Sequence, residues 1–287
     1  MLTATTIHQQ PMLEKEKRRS FRVAAIQMAS GPSVVANLEE AARLIEEAVA
    51  KKAELVVLPE YFCLMGMKET DKLAIREQPG EGQIQSFLSD TAKRLGIWLV
   101  GGSVPLASSE DNKVYNSCLV YADNGKQVAR YDKIHLFGLK LGHEHYAEER
   151  TIKAGEKVVT IDSPFGRIGL AICYDLRFPE LCRMMTGVDI ILAPAAFTAI
   201  TGKAHWEVLV RARAIENLAY VIAPAQGGYH VNGRETNGDS MIVDPWGMVM
   251  ERLPRGSGAV VATLDPDYQA SLRVNLPALN HRSLQAC

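Results

Sequence analysis

The chain has 287 residues, 47% of them hydrophobic, enough for a sizeable core in one large domain or two small ones. Lys+Arg 32 against Asp+Glu 33 leaves a net charge of -1, so no global field recruits nucleic acid or an acidic membrane, and the expected partner is a small molecule. The cysteines, Cys63, Cys118, Cys173, Cys182 and Cys287, are odd in number, widely spaced and without a C-x-x-C pair. That argues against a disulfide framework or a cysteine zinc site, and points to a reducing, cytoplasmic compartment.

Residues 1–20, with the charge run Glu14 to Arg19, read as a flexible extension lacking the apolar region of a signal peptide. No apolar run reaches the roughly 20 residues needed to span a bilayer. Phe21 to Ala29 is the first strand, and Val34 to Lys52 carries apolar residues at Leu38, Ala41, Ala42, Ile45, Ala48 and Val49, one face of a helix. Leu55 to Leu58 is a continuous apolar strand of the kind buried on both sides, and it ends in Pro59-Glu60. Gln83 to Leu95 is the next helix and Ile97 to Val104 the next strand. Tyr115 to Tyr121 and Gln127 to Tyr131 flank the turn Asp123-Asn124-Gly125 as a hairpin whose second strand runs out at Asp132-Lys133.

Arg167 to Ile172 is a short apolar strand that stops at Cys173; a proline then opens the helix at Phe178-Pro179-Glu180-Leu181. A cysteine at such a strand-to-helix turn can be reached by a substrate and feels the partial positive charge of backbone N–H groups, which favours thiolate. The other reading of Cys173 is a buried small hydrophobe. Asp189 to Ala193, Tyr220 to Pro224, Ser240 to Val243 and Val260 to Leu264 are further strands, His205 to Asn217 is a helix, and an irregular tail begins at Pro266. Strands alternating with helices, plus hairpins, predict an α/β fold with mixed sheets, and no linker divides residues 21–287.

Glu60, Lys133 and Cys173 each follow a strand directly, where open α/β folds bind their ligands. A carboxylate, an ammonium and a thiol can together perform nucleophilic acyl chemistry without a metal or cofactor. His143-Glu144-His145 lacks the helical H-E-x-x-H spacing and a third ligand, so no metal is expected there.

Three stretches, Leu58 to Phe62, Arg130 to Phe137 and Ala171 to Glu180, resemble in order and separation the glutamate, lysine and cysteine motifs of the nitrilase superfamily of carbon-nitrogen hydrolases. The resemblance runs from about Arg22 to the end and is closest to the nitrilase-like amidases, through Ala195 to Thr198, Thr201 to Glu207, Arg211 to Asn217 and Ser240 to Gly247. It implies a four-layer α-β-β-α sandwich, a homodimer or higher homo-oligomer pairing through helices near the cysteine, and no cofactor. It also implies that Glu60 is the general base, Cys173 the nucleophile, and Lys133 with the backbone N–H of Tyr174 the oxyanion site. A second active-site glutamate is expected at Glu148, with Glu149 as the fallback, and Arg177, Phe197 and Thr198 as substrate-binding residues. The implied substrate is a small carboxylated amide, deaminated glutathione first; 2-oxoglutaramate or a nitrile are the alternatives, and a non-catalytic binding protein would be expected to have lost part of the triad.

Overall fold

Period-two alternation in the first strands fixes the layering. The computed structural model describes residues 18–141 and 144–283, and within it β1 (Phe21–Gln27) sends Val23 and Ala25 to one side and Ala24 and Ile26 to the other, all four buried. A sheet built on such strands must be covered on both faces. In chain order there follow α1 (Val34–Ala50), β2 (Leu55–Val57), α2 (Asp71–Ala74), α3 (Gln83–Leu95), β3 (Trp98–Val100), β4 (Val104–Ala107), β5 (Val114–Tyr121), β6 (Gln127–Asp132), β7 (Gly138–Leu141) and β8 (Glu144–Ala147). The second half contains β9 (Thr160–Ser163), β10 (Gly166–Leu170), α4 (Pro179–Met184), β11 (Ile190–Leu192), α5 (Ala199–Asn217), β12 (Tyr220–Ala223), β13 (Gly227–Tyr229), β14 (Glu235–Asn237), β15 (Ser240–Val243), β16 (Val249–Leu253), β17 (Gly258–Leu264) and α6 (Pro266–Asn275).

Two mixed sheets result. The first runs β17-β1-β2-β3-β5-β4, with β6 also on β5; its β1, β2 and β3 are parallel and its other pairings antiparallel. The second runs β16-β15-β12-β11-β10-β9, parallel through β10, β11 and β12. Leu38, Ala41, Leu44, Ile45 and Ala48 of α1 and Ile84, Leu88 and Ala92 of α3 pack with Ala24, Ile26, Val56 and Leu99 on one face of the first sheet. From its other face, Val23, Ala25, Leu55, Val57, Val100 and Val120 meet Ile168, Leu170, Ile190 and Leu192 of the second sheet, in a core that continues to Trp206, Val210 and Ala214 of α5. The layers are therefore α-β-β-α, as the resemblance implies.

Several boundaries differ from the sequence expectations for local reasons. Helix α5 starts at Ala199 rather than His205, because Thr198 caps it by accepting the Thr201 N–H on its hydroxyl oxygen. The tail after Pro266 is helical, with Pro266 in the first turn and the Asp265 carboxylate accepting from the N–H groups of Asp267 and Tyr268. The expected strand Ile97 to Val104 breaks at Gly101-Gly102, and the short pairs β7–β8 and β13–β14 are strands that the sequence pattern did not single out. Of residues 1–20 only 18–20 are described; Arg18 donates to the Pro266 carbonyl and Arg19 forms a two-pronged pair with Glu54. Cys287 and His143 lie outside the described residues. No helix among the described residues is long and apolar enough to cross a membrane.

Candidate active site

Glu60 follows β2, Lys133 follows β6, and Glu148 opens a short 3-10 turn after β8; the fold brings their side chains together in a sealed cluster. Lys133 donates from Nζ to Glu60 Oε1 at 2.9 Å and to Glu148 Oε1 and Oε2 at 3.1 and 2.9 Å. Neither carboxylate depends on lysine alone. Asn116 Nδ2 donates to Glu60 Oε1 at 3.0 Å, while Glu148 accepts from the Tyr61 hydroxyl at 2.8 Å and from the Phe137 N–H at 2.7 Å. Glu149, the fallback, is exposed.

Backbone supports hold two of these residues from behind. Gly155 donates its N–H to the Lys133 carbonyl at 2.8 Å and lies so close to Asp132 that a Cβ would run into the Asp132 carbonyl. Gly102, in the left-handed region at φ 46°, likewise presses on the Pro59 carbonyl just before Glu60. Gln226 reaches across from the second sheet and donates to the Glu60 carbonyl at 3.0 Å.

Cys173 ends the β10 stretch with φ 51°, a left-handed conformation that costs a non-glycine residue free energy and is held by its surroundings. Asp175 is the clamp. Its carboxylate, sealed from solvent, accepts from the Ile172 N–H at 2.8 Å, the Tyr131 hydroxyl at 2.7 Å and the His135 N–H at 3.1 Å, and His135 Nδ1 lies 2.7 Å away. The lysine motif is thereby tied to the cysteine turn, and the His135 ring stacks on Phe178 with centroids 3.8 Å apart.

The electrostatics overturn the expectation that the turn favours thiolate. Burial pushes the Cys173 thiol well above its usual range and Glu60 adds to it, while Lys133 and a backbone hydrogen bond from Ala196 only partly oppose them. The thiol is protonated at rest. Burial, and next to it Glu148, raises Glu60 above an ordinary carboxylic acid, against the pull of Lys133. Burial works against ionised Glu148 too, but Lys133 and the Phe137 N–H outweigh it and hold Glu148 below the usual value. Lys133 stays charged, because the two carboxylates overcome the effect of burial. The cluster thus sets a thiol beside a carboxylate of raised proton affinity, an arrangement that can support general-base activation.

A hollow beside the thiol is lined by Phe137, Cys173, Tyr174, Arg177, Phe197 and Thr198, so the three residues expected to bind substrate share one wall. Arg177 lies over the rings of Tyr174 and Phe197, at 5.6 and 5.2 Å from their centroids, with His205 Nδ1 3.1 Å from its NH1. The Thr198 hydroxyl is occupied in capping α5. Among the described residues no three His, Cys, Asp or Glu side chains converge as a metal site. Sequence reasoning missed Asn116, Asp175 and Gln226: Asn116 sits in an ordinary alternating strand and Gln226 in a glycine-rich stretch, whereas Asp175, two residues after Cys173, was open to notice as a short polar side chain beside a turn.

The carbon-nitrogen hydrolase family model matches residues 22–274. The chain is 43% identical over 270 residues to deaminated glutathione amidase of Synechocystis sp. (strain PCC 6803 / GT-S), covering 92% of this chain and 98% of the relative. It is 38% identical over 267 residues to deaminated glutathione amidase of Homo sapiens, covering 91% of this chain and 81% of the human protein. In three dimensions it is similar to a Saccharomyces cerevisiae member of branch 10 of the nitrilase superfamily, with a TM-score of 0.84 at 32% identity over 95% of this chain and 100% of the other.

Proposed function

The chain belongs to the carbon-nitrogen hydrolase family, and from that premise we propose that it is a thiol amidase acting on deaminated glutathione, releasing 2-oxoglutarate and cysteinylglycine. The observation that carries this reading is the contact of one buried ammonium, Lys133, with both Glu60 and Glu148.

Glu60 takes the proton of Cys173 as the sulfur attacks the amide carbonyl. The negative charge that develops on the carbonyl oxygen is met by the Lys133 ammonium and the Tyr174 N–H, donors of a kind worth roughly 3 to 4 kcal/mol of barrier each. As the tetrahedral adduct collapses, the C–N bond breaks and the leaving nitrogen takes the proton back from Glu60, leaving the acyl group as a thioester on Cys173. Glu60 then accepts a proton from water, whose oxygen attacks the thioester; collapse releases the carboxylic acid and returns the proton to the sulfur. Glu148 holds Lys133 charged and aimed.

On the acyl side, Arg177 supplies a cation for the 2-oxo acid carboxylate, backed by the rings of Tyr174 and Phe197. A site built for that group rejects amides that leave the arginine unpaired. The test is kcat/KM for deaminated glutathione, 2-oxoglutaramate and a simple aliphatic nitrile under one set of conditions. Deaminated glutathione is expected to lead; a clear lead for 2-oxoglutaramate would make the protein an ω-amidase, and a lead for the nitrile would overturn the amidase assignment.

The reading extends to assembly and compartment. Val208 and Ile215, two turns apart on α5, are exposed, and Ile215 lies against Gly247 between exposed Trp246 and Met248, an apolar face suited to a homodimer. Cys63, Cys118, Cys173 and Cys182 are all free thiols, in keeping with a reducing cytoplasm.

A further inference from the structure

Arg234 is mounted on a firm turn. Asn232 donates from Nδ2 to the Gly66 carbonyl at 2.7 Å and accepts the Arg234 N–H at 3.0 Å, while the His230 N–H donates to the Arg234 carbonyl at 2.9 Å. The side chain is only 20% exposed, yet among the described residues its guanidinium donates no hydrogen bond, and its Nε is fully buried without a partner. A group with five donors is seldom left so. The neighbouring carboxylate pairs with it only loosely: Glu69 Oε2 accepts from Lys72 Nζ at 2.8 Å, and Oε1 stands 3.7 Å from Arg234 NH1.

The position connects this arginine to the reaction. Arg234 lies 5.1 Å over the Tyr146 ring, Tyr146 meets Phe137 at 5.4 Å between centroids, and Phe137 meets Tyr174 at 5.2 Å, where Arg177 begins. An aromatic wall therefore carries one guanidinium at each end. Arg234 also lines a second hollow with Tyr61, Lys68, Glu69 and Lys72, and Tyr61 is the residue next to Glu60. With Glu60 proposed to return its proton to the leaving nitrogen, that nitrogen faces Glu60, whose chain neighbour Tyr61 lines the hollow that holds Arg234.

We propose that Arg234 is a specificity-determining residue that receives the carboxylate of the leaving half of the amide, so that the enzyme selects substrates with an acidic group at both ends. This rests on the substrate reading above. An extended cysteinylglycine carries its carboxylate about 7 Å beyond the scissile nitrogen, the reach of two residues, which suits a cation in the neighbouring hollow. A forked guanidinium binds such a carboxylate through two parallel bonds, and lysine replaces it poorly.

The experiment compares kcat/KM for deaminated glutathione, its C-terminal carboxamide and 2-oxoglutaramate in the wild type, Arg234→Met and Arg234→Lys. The wild type is expected to prefer the acid to the carboxamide by roughly ten- to hundredfold, the scale of a charged hydrogen bond. In Arg234→Met that preference, and the ratio of deaminated glutathione to 2-oxoglutaramate, should fall by the same factor through KM, with Arg234→Lys between. Equal losses on all three amides, or an unchanged acid preference, would overturn the inference while leaving the amidase reading standing. A wild type inert toward both deaminated glutathione and 2-oxoglutaramate would overturn the substrate reading and this inference with it.

Discussion

Lys133 Nζ and Glu60 Oε1 are 2.9 Å apart in a space sealed from solvent, and the same ammonium also holds Glu148. With both carboxylates ionised the three side chains sum to a charge of minus one, so ionising Cys173 outright would add a second uncompensated charge in a dry site. Moving the thiol proton onto Glu60 keeps the sum constant. That conservation of charge is how a buried thiol could act as the nucleophile proposed for it.

With Glu60 as the proposed base, the acid limb of kcat/KM should lie above the ordinary glutamate value of about 4.3, because burial and Glu148 raise its pKa. Glu148→Gln should slow turnover and also move that limb to lower pH. It removes a like charge that raises Glu60, and it frees Lys133 to pair with Glu60 alone. A pH profile of kcat/KM for both proteins checks the sign, since the two carboxylates titrate as a pair.

Replacing Lys133 with methionine strands two buried carboxylates and should cost about 3 to 5 kcal/mol of stability at neutral pH, apart from abolishing turnover. Glu148 has a depressed pKa in the folded protein, so its pairing stabilises above the unfolded value and that contribution fades as pH falls through the folded one. The gap between wild type and variant should therefore narrow on acidification. Urea denaturation at neutral pH and again below the ordinary glutamate value of about 4.3 measures it, with no narrowing expected above that value.

Gly155→Ala should lower kcat about tenfold or more while costing about 1 to 3 kcal/mol of stability, the usual range for overpacking. The new methyl would displace the Asp132 carbonyl, and with it the backbone that carries Lys133. A smaller effect on KM than on kcat is expected, because the role proposed for the displaced Lys133 is at the oxyanion rather than at the substrate's ends; steady-state kinetics separate the two.

Alkylation should inactivate the enzyme in step with modification of Cys173. Burial raises the thiols of Cys63, Cys118 and Cys182, to about 12, as it also raises Cys173, but of the four only Cys173 lines the hollow and has Glu60 beside it to take its proton. Substituting any one of these three by alanine should leave most activity. Peptide mapping after partial inactivation by iodoacetamide tests both statements.

Local patterns carried much of this structure. Alternation in Phe21 to Ala29 and the unbroken Leu55 to Leu58 run report sheets buried on both faces, because side-chain direction follows directly from the strand period. The ends of three strands placed Glu60, Lys133 and Cys173. What the sequence could not display was distance between segments: that Asn116 would donate to Glu60, that Asp175 would clamp Tyr131 and His135, and that Arg234 would face the same wall as Arg177. The thiolate expectation failed for a related reason. A turn of backbone N–H groups is visible in a sequence, whereas the depth to which the fold buries it is not.

The most direct test is intact-mass and peptide analysis after acid quench of the enzyme mixed with deaminated glutathione in the first turnover. A 2-oxoglutaryl group in thioester linkage on Cys173, formed together with a burst of cysteinylglycine and lost on further incubation, is the expected result. Product formation without any acyl adduct on Cys173, or with the adduct on another residue, would contradict the assignment of Cys173 as the nucleophile.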